Sequence, residues 1–244
     1  MSGGIDVALT LEELSHTSLA GVSAVMIDVV RASATIVTAL ARGARAVVPV
    51  ATPGEAIARA QGWPGGPVVL GGERGGTPPP GFECGNSPAE YTADRVAGRT
   101  VVFTTTNGTR ALLALAGAKR VGVAGFVNAA AAVRWLAGGD GDALLVCAGE
   151  SGRFCLEDAA CAGLLVDGLR ALRPDAPLSD GARAAASLWA HYRRDPGAVL
   201  EDATWARVLA ARGRGADLPL CVALDAFDVV PVTRDGELVL EPQD

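Results

Sequence analysis

Carboxylates standing close to arginines, each group just after a run of apolar residues, recur along the 244-residue chain. Asp28 and Arg31 lie in "VMIDVVRASAT" (25–35), Glu73 and Arg74 in "GGERGG" (71–76), and Glu150, Arg153, Glu157 and Asp158 in "CAGESGRFCLED" (147–158). Between them "TTTNGTR" (104–110) offers the hydroxyls and amide of Thr105, Thr106, Asn107 and Thr109, followed by Arg110. Carboxylates without soft ligands suit a hard cation. Mg²⁺ is the usual one where phosphate is handled, because it needs few protein ligands and keeps several waters. Arginines and helix-start amides are what a multiply charged anion requires. Together these residues suggest metal-assisted phosphoryl chemistry. Each also has a plainer reading. Asp28 is a capping residue ahead of Ser33 and Thr35, "GGERGG" a solvent turn, Asn107-Gly108 a helix entry, and Glu157-Asp158 a complement to a helix dipole.

What the chain lacks narrows the chemistry further. Lys119 is its only lysine, in a segment that reads as a helix exit, and there is no G-x-x-x-x-G-K-[ST]. Schiff-base and P-loop chemistry therefore have no candidate. The two histidines, His16 and His191, fall in polar segments and read as surface residues. A net charge of −6 with no basic cluster argues against a nucleic-acid partner. No apolar run is long enough for a membrane span, and "MSGGIDVALTLEEL" has no basic leader before an apolar core, so the cytoplasm is the expected compartment. Five cysteines without C-x-x-C spacing fit neither a disulfide framework nor a zinc site, and most read as buried small hydrophobes. One of them competes for the chemistry. Cys147 and Arg153 have the C-x5-R spacing of cysteine-dependent phosphatases, although no histidine precedes the cysteine and Glu150 would put a negative charge in the anion cradle.

These residues need a scaffold, and the chain reads as α/β. Short β-branched runs alternate with Ala/Leu-rich stretches of helical period, the pattern of a layered α/β/α fold with a largely parallel or mixed sheet. Strands are expected over 23–30, 45–50, 67–72, 99–106, 120–125 and 142–149, and helices over 33–42, 53–61, 108–116, 128–137, 157–172, 180–193 and 202–212. "FDVVPVTRDGELVLE" reads as two further strands joined through Asp235-Gly236, a favoured tight-turn pair. A single domain over 1–244 is expected. Segments 24–60 and 99–137 look alike, with Thr35 matching Thr109 and Gly43-Ala44 matching Gly117-Ala118, which suggests a repeated α/β unit. The Gly- and Pro-rich stretch 71–91 suits an ordered site loop, since charges and aromatics are interleaved with its glycines. In open α/β sheets ligands collect beyond the carboxyl ends of strands, which is where the charged groups fall.

Read together, "VMIDVVRASATIVTAL", "LGGERGG", "GFECGNSPAEY", "TTTNGTRAL", "CAGESGRFCLEDAACAG" and "LDAFDVVPV" resemble the 2-phosphosulfolactate phosphatase family, from about residue 5 to residue 235. The resemblance implies an α/β, Mg²⁺-dependent phosphohydrolase, without a nucleotide cofactor, that converts 2-phospho-3-sulfolactate to 3-sulfolactate in coenzyme M biosynthesis. Another small phosphorylated hydroxy acid would suit the same charges. Val30 and Cys84 depart from the usual family residues, and the second departure argues against a catalytic thiol at that position. On this basis Asp28, Glu73 and Asp158 are expected to hold Mg²⁺, with Glu150 or Glu157 as the base. Arg31, Arg74, Arg110 and Arg153 are expected to meet the anionic groups, and Asn86, Ser87, Thr105, Thr106, Asn107 and Thr109 to supply neutral donors. A small apolar-rich enzyme of this kind is compatible with a homodimer.

Overall fold

The computed structural model describes residues 3–241; residues 1–2 and 242–244 of the expected single domain lie outside the described residues. Nine strands form one sheet: β1 (Ile5–Ala8), β2 (Ser23–Ile27), β3 (Ala46–Pro49), β4 (Val68–Gly72), β5 (Thr100–Thr104), β6 (Arg120–Ala124), β7 (Ala143–Cys147), β8 (Pro231–Arg234) and β9 (Glu237–Leu240). The helices are α1 (Ala32–Ala41), α2 (Pro53–Gln61), α3 (Ala93–Val96), α4 (Gly108–Ala114), α5 (Ala129–Ala137), α6 (Leu156–Leu172), α7 (Asp180–Tyr192), α8 (Ala198–Asp202), α9 (Thr204–Leu209) and α10 (Leu218–Cys221).

The strand order is β1-β7-β2-β6-β8-β9-β3-β5-β4. Within β1-β7-β2-β6 and within β3-β5-β4 every pairing is parallel. The carboxyl-terminal hairpin β8–β9 is antiparallel and joins the two groups, Gly122 pairing with Val232 and Val47 with Leu238. Its turn residues Asp235 and Gly236 both have positive φ, 52° and 82°, as a tight hairpin turn requires. The parallel strands are continuous apolar runs because both faces are covered; β2, β5 and β7 are buried at every position. Side chains such as Met26, Ile27 and Leu145 each contribute roughly 1.5–3 kcal/mol of burial.

The two look-alike segments are interlocked rather than stacked. β2–α1–β3 starts in the first parallel group and ends in the second, whereas β5–α4–β6 runs the other way, so β2 pairs with β6 and β3 with β5. α1 is buried from Ala32 to Leu40, which suits a sequence apolar or small on every face. One expectation needs correction, and one strand lies outside those expected. The helix expected over 202–212 is broken at Ala203, whose extended ψ of 124° separates α8 from α9, and 210–214 is an irregular wide turn. The amino-terminal "IDVA" is an edge strand, β1, too short to stand out by pattern. Among the described residues no helix is long and apolar enough to cross a membrane.

Candidate active site

The carboxyl ends of β2, β4, β5 and β7 converge on a cavity of about 160 Å³, well below the roughly 300 Å³ at which pockets for drug-sized ligands begin. Asp28, Arg31, Glu73, Asn86, Thr106, Asn107 and Glu150 line it. A larger cavity of about 760 Å³ adjoins it, lined by Arg153, Phe154 and Glu157 among others, and Glu150, Ser151 and Trp205 border both.

Asp28 lies immediately beyond β2, and its Oδ1 accepts the Ala32 amide at 3.2 Å. Oδ2 faces the start of α4, where a Cβ on Gly108 would fall 2.6 Å from it and 2.6 Å from the Ala32 Cβ; only glycine allows this approach. Burial pushes the Asp28 carboxyl up to about 7; the nearby Glu73, Glu157 and Glu150 charges add to this and the Ala32 amide opposes it. Glu157, in the first turn of α6, is 2 % exposed, and among the described residues no other residue donates a hydrogen bond to its carboxylate. Burial, then the Glu150 charge, raises its carboxyl above the usual range. Glu150 bridges both cavities and is aimed by Asn107 Nδ2 at 2.7 Å and Ser151 Oγ at 2.8 Å.

Two other carboxylates are fully engaged with backbone. Asp158 accepts the Val29 amide at 2.8 Å and the Gly149 amide at 3.0 Å, tying the ends of β2 and β7 to α6. Burial, with the charges of Glu157 and Asp28, still raises it well above the ordinary range. Glu73 accepts the Gly76 and Thr106 amides, each at 2.7 Å, tying the glycine-rich loop to the end of β5. Among the described residues no three His, Cys, Asp or Glu side chains group closely enough to hold a metal ion. Asp28, Glu73 and Asp158 thus share one neighbourhood without forming a ready three-carboxylate cage.

The arginines divide sharply. Arg31 is 2 % exposed, lines the small cavity, and pairs with Asp217, which also accepts from Ser87 Oγ. Arg74 turns inward to the scaffold, donating to the carbonyls of Glu73 and Ala51 and to Thr104 Oγ1. Arg153 is exposed on the larger cavity, and Arg110 is exposed on α4 outside either. Thr105 and Thr109 satisfy each other: each hydroxyl accepts the other's amide at 3.0 Å, and Thr109 Oγ1 donates to the Thr105 carbonyl at 2.9 Å. Asn86 is 5 % exposed and lines the small cavity, and its buried Oδ1 has no hydrogen-bond partner among the described residues. Asp217 was outside every motif, and "GADLPLC" carries no signal that could have marked it.

The C-x5-R reading fails on geometry. Cys147 is fully buried, and burial followed by the Asp158 charge pushes its thiol well up, whereas a nucleophilic cysteine needs a lowered pKa. Glu150 and Arg153 close a tight turn through paired backbone bonds, so the loop does not wrap the sulfur. All five cysteines are free and buried, and both histidines are exposed.

An α/β sheet whose strand ends enclose a small cavity of carboxylates, a fixed guanidinium and amide groups is the scaffold of an enzyme acting on a small anion. A family model described as 2-phosphosulpholactate phosphatase matches residues 8–236. A Symbiobacterium thermophilum protein named probable 2-phosphosulfolactate phosphatase is 43% identical over 224 residues, 91% of this chain and 95% of its own. Proteins of the same name from Thermotoga petrophila and Caldanaerobacter subterraneus are 40% and 34% identical, covering 90% and 93% of this chain and 92% and 94% of theirs. The chain belongs to the 2-phosphosulfolactate phosphatase family and, with it, to the phosphoric monoester hydrolases.

Proposed function

We propose that this enzyme hydrolyses 2-phospho-3-sulfolactate to 3-sulfolactate and phosphate with the help of Mg²⁺, the step that yields sulfolactate for coenzyme M biosynthesis. The observation that carries the reading is Asp28: a buried carboxylate with one oxygen unclaimed, at about pKa 7, in a cavity sized for a three-carbon substrate. The donor set fits a hard cation, because the unclaimed groups are carboxylate oxygens that repel one another, both histidines are exposed, and burial raises the Cys155 thiol of the adjoining cavity so that it stays protonated. Asp28 would hold the ion, with Glu157 completing its protein shell. Glu73 and Asp158 would act one layer out, keeping the loops in place. Two protein carboxylates suffice for Mg²⁺, which supplies charge neutralisation on the phosphoryl oxygens.

The chain's own residues account for the rest. Arg31 meets the anionic substrate from the cavity wall, while Asn86 and the Thr106 hydroxyl add neutral contacts. Glu150, held by Asn107 and Ser151, takes a proton from the attacking water. Oxygen adds to phosphorus, the bond to the C2 oxygen breaks, and that oxygen receives the proton. The five unpaired cysteines favour a reducing compartment, the cytoplasm.

Phosphate release from phosphosulfolactate, with Mg²⁺ and with EDTA, tests the proposal. Turnover that survives chelation removes the metal role. Equal turnover of phosphorylated hydroxy acids lacking a sulfonate replaces the substrate with that broader class.

A further inference from the structure

Asp217 is 8 % exposed just ahead of α10, and its two oxygens accept from Ser87 Oγ and from Arg31 Nη1. Arg31 also donates through Nη2 to the Gly76 carbonyl at 3.2 Å. Three stretches distant in sequence therefore meet at one ion pair: the β2–α1 junction, the 71–91 loop and the helical segment that ends at Asp217.

A guanidinium is a planar fork of five N–H donors. Contacts to Asp217 and Gly76 fix that plane, and the donors left over belong to a side chain that lines the small cavity. The Ser87 hydroxyl holds the second Asp217 oxygen, so the carboxylate cannot rotate away from the arginine. A buried Asp–Arg pair is a poor source of stability, since desolvation consumes most of the attraction and apolar residues of similar shape do as well. What such a pair supplies is orientation.

We propose that Asp217 is a positioning residue, locked by Ser87, that holds the Arg31 guanidinium in one orientation so that its free donors meet the anionic substrate. This rests on the reading of the small cavity as the substrate site. The neighbour of Ser87 fits the same picture: Asn86 lines the same cavity, and its buried Oδ1 has no hydrogen-bond partner among the described residues, so one dipeptide both locks the arginine and borders the proposed site.

The test compares Asp217→Asn, Arg31→Lys, the double variant and Ser87→Ala by steady-state kinetics on phosphosulfolactate and by thermal melting. Asp217→Asn is expected to raise KM about tenfold or more with kcat changed less than about threefold, as lost ground-state and transition-state binding requires. Arg31→Lys raises KM at least as much, and the double variant does no worse than Arg31→Lys alone, because the aspartate acts through the arginine. A lowered melting temperature with unchanged KM, or an Asp217→Asn effect that persists in the Arg31→Lys background, overturns the proposal. Ser87→Ala keeps the ion pair and releases the lock, with a KM rise of about threefold expected. If Asp217→Asn does not fold, unchanged KM in Ser87→Ala overturns the proposal and a raised KM supports it. If the wild type does not turn over phosphosulfolactate, the substrate reading fails separately. The same proteins are then compared by calorimetric binding of inorganic phosphate: equal loss in Asp217→Asn and Arg31→Lys supports positioning, and retained affinity in Asp217→Asn overturns it.

Discussion

The β2–α1 and β5–α4 junctions are built alike and used differently. Each leaves a buried strand, turns, and enters a helix, and they touch where Gly108 packs against Asp28 and Ala32. At the first, one Asp28 oxygen is unclaimed and Arg31 is held from outside by Asp217 and Gly76. At the second, Thr105 and Thr109 close on each other, while the Thr106 amide and the Asn107 side chain serve Glu73 and Glu150. In the proposed site the first junction supplies the groups that meet metal and substrate, whereas the second, apart from the Thr106 hydroxyl, is spent on holding Glu73 and Glu150 in place. Position at a strand end therefore does not decide whether a polar side chain works on substrate or on the fold. Its unspent hydrogen-bonding capacity does.

Asp28→Asn should break the comparison most severely. Its loss of kcat/KM is expected to be 10³-fold or more, about 4 kcal/mol of transition-state stabilisation, with the far-ultraviolet spectrum unchanged. Near-wild-type turnover would put Asp28 in the same structural class as Thr109. The metal-free protein should show the same residue through pH. Because folding raises the Asp28 carboxyl to about 7 from 3.8, the native state holds a proton that the unfolded chain has released between those values. The stability contributed by this group is thus complete below pH 3.8 and is lost as pH rises through about 7. That loss amounts to at most about 4 kcal/mol. Glu157 and Asp158 are raised too and act in the same direction. Melting in EDTA at pH 5 and pH 8 should show the decline, and Asp28→Asn should flatten it. An unchanged slope in that variant would remove Asp28 as its source.

Six of the seven parallel strands, and the helices up to α7 apart from the single turn of α3, could be read from the sequence because their signals are local: an apolar run, a period, a cap. Asp28, Arg31 and Glu150 also could, since a charge just past an apolar strand has few places to go. What escaped has a common cause. Asp217 reaches Arg31 across the length of the chain, and no local pattern marks a carboxylate whose partners arrive from two distant loops. Glu73 and Asp158 stood out for their charge, yet whether their oxygens meet a cation or a backbone amide depends on packing that spacing does not encode. The terminal hairpin was legible as a hairpin, but its place between two parallel groups is a property of the whole topology.

Smaller effects sharpen the division. Asp158→Ala would leave the buried Val29 and Gly149 amides without acceptors, at a cost of about 2–4 kcal/mol in denaturant melts. Its activity should fall mainly with the folded fraction, and a catalytic loss far beyond that would move Asp158 to the ligand-facing class. Thr109→Val removes the two bonds its hydroxyl makes to the Thr105 backbone and should cost about 1–2 kcal/mol while kcat holds within about threefold. Arg110→Ala is the mildest. Its side chain is exposed on α4, outside both cavities, so stability should change by less than about 0.5 kcal/mol. KM should then stay within about twofold, because a cation that never reaches the substrate has no binding to lose. A KM raised as far as in Arg31→Lys would mean that α4 swings its arginine into the cavity when substrate binds, and the second junction would then face the ligand as the first does.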